Sequence, residues 1–205
     1  MPKTDIAVNL FLGYHWFVVD LINSIDSYIA NFFVHIKSPI LDTFFKYLTF
    51  LGGFTVAVVV FVLVAFLLYR WQEKALLYAF LLTFFLAELS SFILKYLVNR
   101  ERPVSVIGDD FSPSFPSGHT LTATILYGMV LLLPFLLNTD LRASFKRLKI
   151  FIVAILSLVI ILVGVSRLYL GLHYFTDVFG GFVIGGVWVV VFYFLHKKFS
   201  ANFPH

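Results

Sequence analysis

The chain has 205 residues, of which 60% are hydrophobic and only 13% charged, with a mean hydropathy of +0.96. A soluble domain carries about 45–50% apolar and about 25% charged residues, so this composition excludes a water-soluble globule and places the chain in a bilayer; 26 Phe, 10 Tyr and 3 Trp exclude disorder as well. The absence of cysteine rules out a disulfide framework, a thiolate metal site and a thiol nucleophile, and a net charge of +4 without a basic run fits cationic loops beside anionic headgroups rather than a nucleic-acid surface.

In chain order, residues 6–19 are apolar but short, contain Asn9 and His15, and run into Asp20, which makes them a marginal first span. Lys3 is balanced by Asp5 and no small-x-small cleavage site follows, which argues against a signal peptide. Residues 24–46 mix Ile25, Ile29, Phe32, Phe33 and Ile36 with Asp26, Asn31, His35 and Lys37, a pattern that predicts an interfacial amphipathic helix interrupted or restarted at Pro39. Five strong spans follow at about residues 48–69, 75–97, 120–138, 150–165 and 178–195.

The expected fold is therefore an all-α membrane protein, a six-span helix bundle with an amphipathic helix after the first span. No internal repeat or low-complexity linker divides it, so residues 1–205 read as one domain. With six spans, Arg70, Lys74, Arg142, Lys146, Arg147, Lys149, Lys197 and Lys198 share one side with Lys3, which the positive-inside rule makes cytoplasmic.

Three segments on the opposite side hold most of the reactive side chains. In the first, a seven-residue step separates Lys95 from Arg102. That is nearly two helical turns, so both would project from one face if the helix continued to Pro103; alone, the pair reads more readily as snorkelling interfacial cations. In the second, Pro113 to His119 introduces the apolar run at Thr120. A helix N-terminus there offers backbone N–H groups and a positive dipole end to an anion, and Gly118 removes a side chain where phosphate oxygens would approach; the plain alternative is a Ser-capped helix start. Asp109 and Asp110 are assigned to the solvated loop. In the third, Ser166 and Arg167 precede Gly171, and His173 stands four residues before Asp177. A carboxylate one turn away can hold one imidazole nitrogen and leave the other as nucleophile or base, though a structural His–Asp pair has the same spacing. Jointly the segments supply three cations, two histidines, a carboxylate and a helix N-terminus on one membrane face, an inventory suited to a phosphate group.

Lys95-x6-Arg102-Pro103, Pro116-Ser117-Gly118-His119 and Ser166-Arg167-x5-His173-x3-Asp177, in this order, resemble the tripartite signature of the type 2 phosphatidic acid phosphatase family, the integral-membrane lipid phosphate phosphatases. The resemblance covers about residues 48–195. It implies that His173 attacks phosphorus, that Asp177 orients it, and that His119 protonates the leaving group. It further implies that Lys95, Arg102, Ser117, Gly118 and Arg167 bind phosphate oxygens, with Ser166 a supporting or phosphate contact, and that no metal or other cofactor is needed. The implied partner is a lipid phosphate or pyrophosphate at the outer leaflet of the cell membrane, with undecaprenyl pyrophosphate, phosphatidylglycerophosphate and phosphatidic acid as candidates, and no nucleic acid.

A membrane protein that binds or translocates phospholipid without hydrolysis would use the same pocket. Vanadate-dependent haloperoxidases resemble the motif set too, but are soluble. Glu88, inside a span, suits a buried hydrogen-bonded role better than a relay. Gly180, Gly181, Gly185 and Gly186 include a Gly-x-x-x-Gly step that suits close helix packing, within the bundle or in a homodimer.

Overall fold

The computed structural model describes residues 3–103, 112–137 and 143–202, with side chains from Phe17 onward and, in the sixth helix, from residue 147 onward. Among these residues the chain is all helical: α1 (Lys3–His35), α2 (Pro39–Leu48), a short 3-10 helix (Thr49–Gly52), α3 (Phe54–Arg70), α4 (Lys74–Val98), α5 (Gly118–Leu136), α6 (Ala143–Tyr169) and α7 (Phe175–Asn202). Among the described residues five helices are long and apolar enough to span a membrane, and Pro39–Gly52 with Phe54–Arg70, bent by 41°, reaches that length and hydropathy only as a pair, the pattern of a broken span or a re-entrant loop. The protein is a multi-pass membrane helix bundle.

Three expectations are corrected. The first helix does not stop near residue 21 to yield to a separate helix from residue 24. No Pro or Gly interrupts residues 14–38, and Ser24 Oγ bonds back to Asp20 O (2.7 Å), so α1 continues to His35, and among the residues described with side chains its Phe17–His35 stretch is long and apolar enough to span. The restart at Pro39 is real: Pro39 occupies the first helical position, where its missing N–H costs nothing, and Ser38 Oγ caps Leu41 N–H.

The expected span 48–69 is broken at Gly53. A Cβ on Gly52 would lie 2.5 Å from Val163 Cγ1 and 3.0 Å from His119 O, so α5 and α6 approach the break more closely than any side chain would permit.

The third correction concerns α4, which ends at Val98 instead of continuing to Arg102. Asn99 takes a left-handed conformation (φ 44°), donating its N–H to Lys95 O, and Pro103 follows shortly after.

The core lies where α5 packs against α7 and α6, and α4 against α7. Leu76, Phe80, Leu121, Ile125, Met129 and Phe192 are fully buried there. Small residues permit the α5–α7 approach. A Cβ on Gly181 would meet Thr120 Cβ at 3.0 Å, and one on Gly185 would meet Thr124 Cβ at 2.7 Å, whereas Gly186 faces open space. The Gly-x-x-x-Gly step thus serves the bundle itself. Glu88 accepts a hydrogen bond from Thr122 Oγ1 (2.6 Å), joining α4 to α5.

Candidate active site

The site forms at one end of the bundle, where α4 and α6 finish and α5 and α7 begin. Each boundary has a local cause. The α6 helix closes in a Schellman turn: Leu172 N–H bonds Arg167 O, Gly171 N–H bonds Leu168 O, and Gly171 takes the positive φ (69°) that such a turn needs. Two residues later comes His173. The α7 helix opens with Asp177 at its third position reaching back to Tyr174 N–H (2.9 Å), half of a capping box, which also puts a carboxylate at the positive end of the helix. Ser117 N–H donates to Asp177 O (3.1 Å) and ties the start of α5 to the start of α7.

His173 and Asp177 meet as their spacing predicts, but through an intermediary. His173 Nδ1 is 3.6 Å from Asp177 Oδ2, too long for a hydrogen bond, and 3.4 Å from Ser114 Oγ. Ser114 donates a short hydrogen bond to Asp177 Oδ2. Ser114, Asp177 and His173 are all buried. Burial, together with the nearby Arg167 and Arg102 charges, lowers the His173 pKa to about 4 against the opposing pull of Asp177. The imidazole is therefore neutral near pH 7, the state a nucleophile requires.

The phosphate-binding residues implied by the motifs gather by an unexpected route. Because α4 stops at Val98, Lys95 and Arg102 do not share a helix face. They converge on the polypeptide that enters α5: Lys95 Nζ donates to Pro113 O (2.8 Å), while Arg102 donates from Nε to Ser112 O and from Nη2 to Ser112 Oγ (both 2.8 Å). Arg167, on the last turn of α6, is buried and donates to Thr49 Oγ1 (2.9 Å) beside the α3 break. His119 stands in the first turn of α5 against Gly52 and Gly53; a Cβ on Gly53 would lie 3.8 Å from its Nε2. Gly118 lies next to the Lys95 stem. Ser117 shares a hydrogen bond with Thr120 Oγ1 (3.0 Å), and Ser166 Oγ is turned to Val163 O of its own helix (2.6 Å), so the geometry brings it to no other site residue. Asp109 and Asp110 lie outside the described residues.

Sequence reasoning missed Ser114, Arg100 and Asp26. Arg100 bridges two carboxylates, Nη1 to Asp177 Oδ1 at 2.8 Å and Nη2 to Asp26 Oδ2 at 2.6 Å, and lies over the Tyr174 ring (4.2 Å). Asp26 also accepts from Thr176 N–H (2.9 Å) and Thr176 Oγ1 (2.7 Å). A signal existed: an acid inside an apolar helix demands a partner, but nothing in the sequence said which one. A cleft of about 90 Å³ opens beside His173, walled by Ile29, Ala30 and Phe33 of α1, with Lys37 and Asp26.

The description "PAP2 superfamily" fits residues 75–201. Phosphatidylglycerophosphatase B of Bacillus subtilis (strain 168) is 34% identical over 195 residues, covering 88% of this chain and 86% of that protein. The crystal structure of a transmembrane PAP2 type phosphatidylglycerolphosphate phosphatase from Bacillus subtilis superposes with a TM-score of 0.73 at 28% identity, covering 95% of this chain and 96% of that one. That of Aquifex aeolicus LpxE, at 24% identity, shares the fold, with a TM-score of 0.60 over 84% of this chain and 94% of its own. With its three motifs meeting at one end of such a bundle, this chain belongs to the PAP2 superfamily.

Proposed function

We propose that the protein is a lipid phosphate phosphatase that removes a terminal phosphate at the outer leaflet through a phosphohistidine on His173. The observation that carries the reading is a buried imidazole whose Nδ1 faces the Ser114–Asp177 pair and which lies in the field of Arg102 and Arg167. The naming of its relative makes phosphatidylglycerophosphate the first substrate to test.

In the first step Nε2 forms a bond to phosphorus as the P–O bond to the lipid breaks, and His119, protonated, donates its proton to the departing alkoxide. The phospho-imidazolium gains a positive charge that Asp177 offsets. In the second step His119 takes a proton from water, the hydroxide oxygen bonds phosphorus, and the P–N bond breaks, which restores neutral His173. Lys95, Arg102 and Arg167 stabilise charge on the equatorial oxygens, the work that a metal does in many phosphatases. The apolar wall of the cleft along α1 suits the lipid portion of the substrate.

The test is phosphate release by purified protein in nanodiscs, across a panel of lipid phosphates, lipid pyrophosphates and one soluble phosphomonoester. Release from lipid substrates that survives EDTA and falls on the order of 10³-fold or more in His173→Ala is expected. Lipid binding without phosphate release, an unimpaired His173→Ala protein, or loss in EDTA restored by a divalent ion would each overturn the proposal.

A further inference from the structure

Asp26 is the one buried residue between Phe17 and His35; the rest of that stretch is partly or fully exposed. An ionisable group inside an apolar helix is expensive unless paired. Here its three hydrogen bonds all come from two residues of the site: Arg100 Nη2 and Thr176 Oγ1 donate to Oδ2 and Thr176 N–H donates to Oδ1, while Arg100 Nη1 completes a fork to Asp177 Oδ1. Burial alone would lower the Arg100 pKa, but the hydrogen bonds and charges of Asp26 and Asp177 outweigh it and raise it. Its planar head is held between two carboxylates and above the Tyr174 ring, a geometry that a lysine cannot reproduce.

We propose that Arg100 and Asp26 are positioning residues of the phosphatase centre. Asp26 holds the guanidinium, and the guanidinium fixes Asp177 Oδ1, so that Oδ2 is presented to Ser114 and His173. The inference rests on the phosphatase reading above, and neither residue is at a fixed position of the three motifs. Without Arg100 the Asp177 carboxylate could rotate about its side-chain torsion, and its charge would lie uncompensated beside the imidazole. The charged groups facing His173 are Asp177 from α7, Arg167 from α6 and Arg102 from the segment after α4, with Asp26 and Lys37 lining the cleft from the α1 side. Lys95 of α4 and His119 of α5 stand at the same end of the bundle.

The experiment pairs lipid-phosphate kinetics with a nitrogen NMR titration of histidine-labelled protein in nanodiscs, with the His173 resonance identified by its loss in His173→Gln. Arg100→Gln removes a positive charge near the imidazole and strengthens the field of Asp177. Its His173 midpoint should rise by about one unit, and kcat should fall about 10²-fold with KM nearly unchanged. Asp26→Asn removes a negative charge while keeping the shape, so the midpoint should move down and kcat should fall less. Arg100→Lys should return the midpoint towards that of the wild type and recover kcat in part. A kcat loss at nearly unchanged KM in Arg100→Gln, recovered in part by Arg100→Lys, is what a merely structural role would not produce.

Folded variants with unshifted midpoints and kcat within about twofold of wild type, or shifts of the same sign, would overturn the inference. Should Arg100→Gln not fold, Asp26→Asn and Arg100→Lys decide by the same criteria. Failure of the wild type to hydrolyse any lipid phosphate would instead sink the phosphatase reading, and the titration distinguishes the two.

Discussion

Ser114 is the side chain through which the His173–Asp177 spacing becomes a working contact. Its hydroxyl donates to Asp177 Oδ2 and faces His173 Nδ1 at 3.4 Å, so it can accept the imidazole N–H while passing its own proton's bond to the carboxylate. Removing it leaves a buried carboxylate oxygen with one fewer donor and the imidazole without its nearest neighbour. That loss is worth about 1–3 kcal/mol, so Ser114→Ala should lower kcat roughly 5- to 150-fold with little change in KM. Steady-state kinetics on a lipid phosphate checks this, and an unchanged kcat would remove Ser114 from the site. The motif spacing made His173 and Asp177 legible, because an acid at the third position of a helix reaches back over the residues just before it, as Asp177 does to Tyr174 N–H beside His173. It could not reveal Ser114, which reaches the pair across 59 and 63 residues of sequence.

At the scale of the helix, what was legible was what apolar length alone decides. The four spans from α4 to α7 fall within a few residues of their expected positions, except that α6 and α7 run on beyond the apolar cores that marked them. The errors arose where tertiary contacts override local pattern. Asp26 looked like the polar face of an interfacial helix, whereas Arg100 and Thr176 supply the partners that let it sit inside α1. Residues 48–69 are apolar throughout, and only the packing of Val163 and His119 onto Gly52 shows why the helix must break.

The same close packing governs the α5–α7 seam, which carries His119 on one helix and Asp177 on the other. Gly185→Ala drives a Cβ to within 2.7 Å of Thr124 Cβ. It should destabilise the protein by about 1–3 kcal/mol, seen as a lower Tm in detergent. Gly186→Ala, which meets nothing within 4 Å, should stay within about 0.5 kcal/mol of wild type. Equal behaviour of the two variants would show that the seam is not packed as described.

Taken whole, the molecule gathers its chemistry at one end of the bundle and leaves the flanks apolar. Phe17, Tyr28, Phe32 and Val34 on α1 are exposed, and the cleft beside His173 continues along that helix at Ile29, Ala30 and Phe33. A substrate with its headgroup at the helix ends can keep its acyl chains in the hydrocarbon while it reacts. Contact between those chains and the apolar α1 wall of the cleft sets the dimensionality of the encounter. Collisions take place by lateral diffusion within a sheet, and the quantity that saturates the enzyme is the surface mole fraction of substrate. In mixed micelles, added inert detergent should slow turnover at constant bulk substrate, and rates that follow bulk concentration alone would show that the lipid leaves its monolayer to be cut.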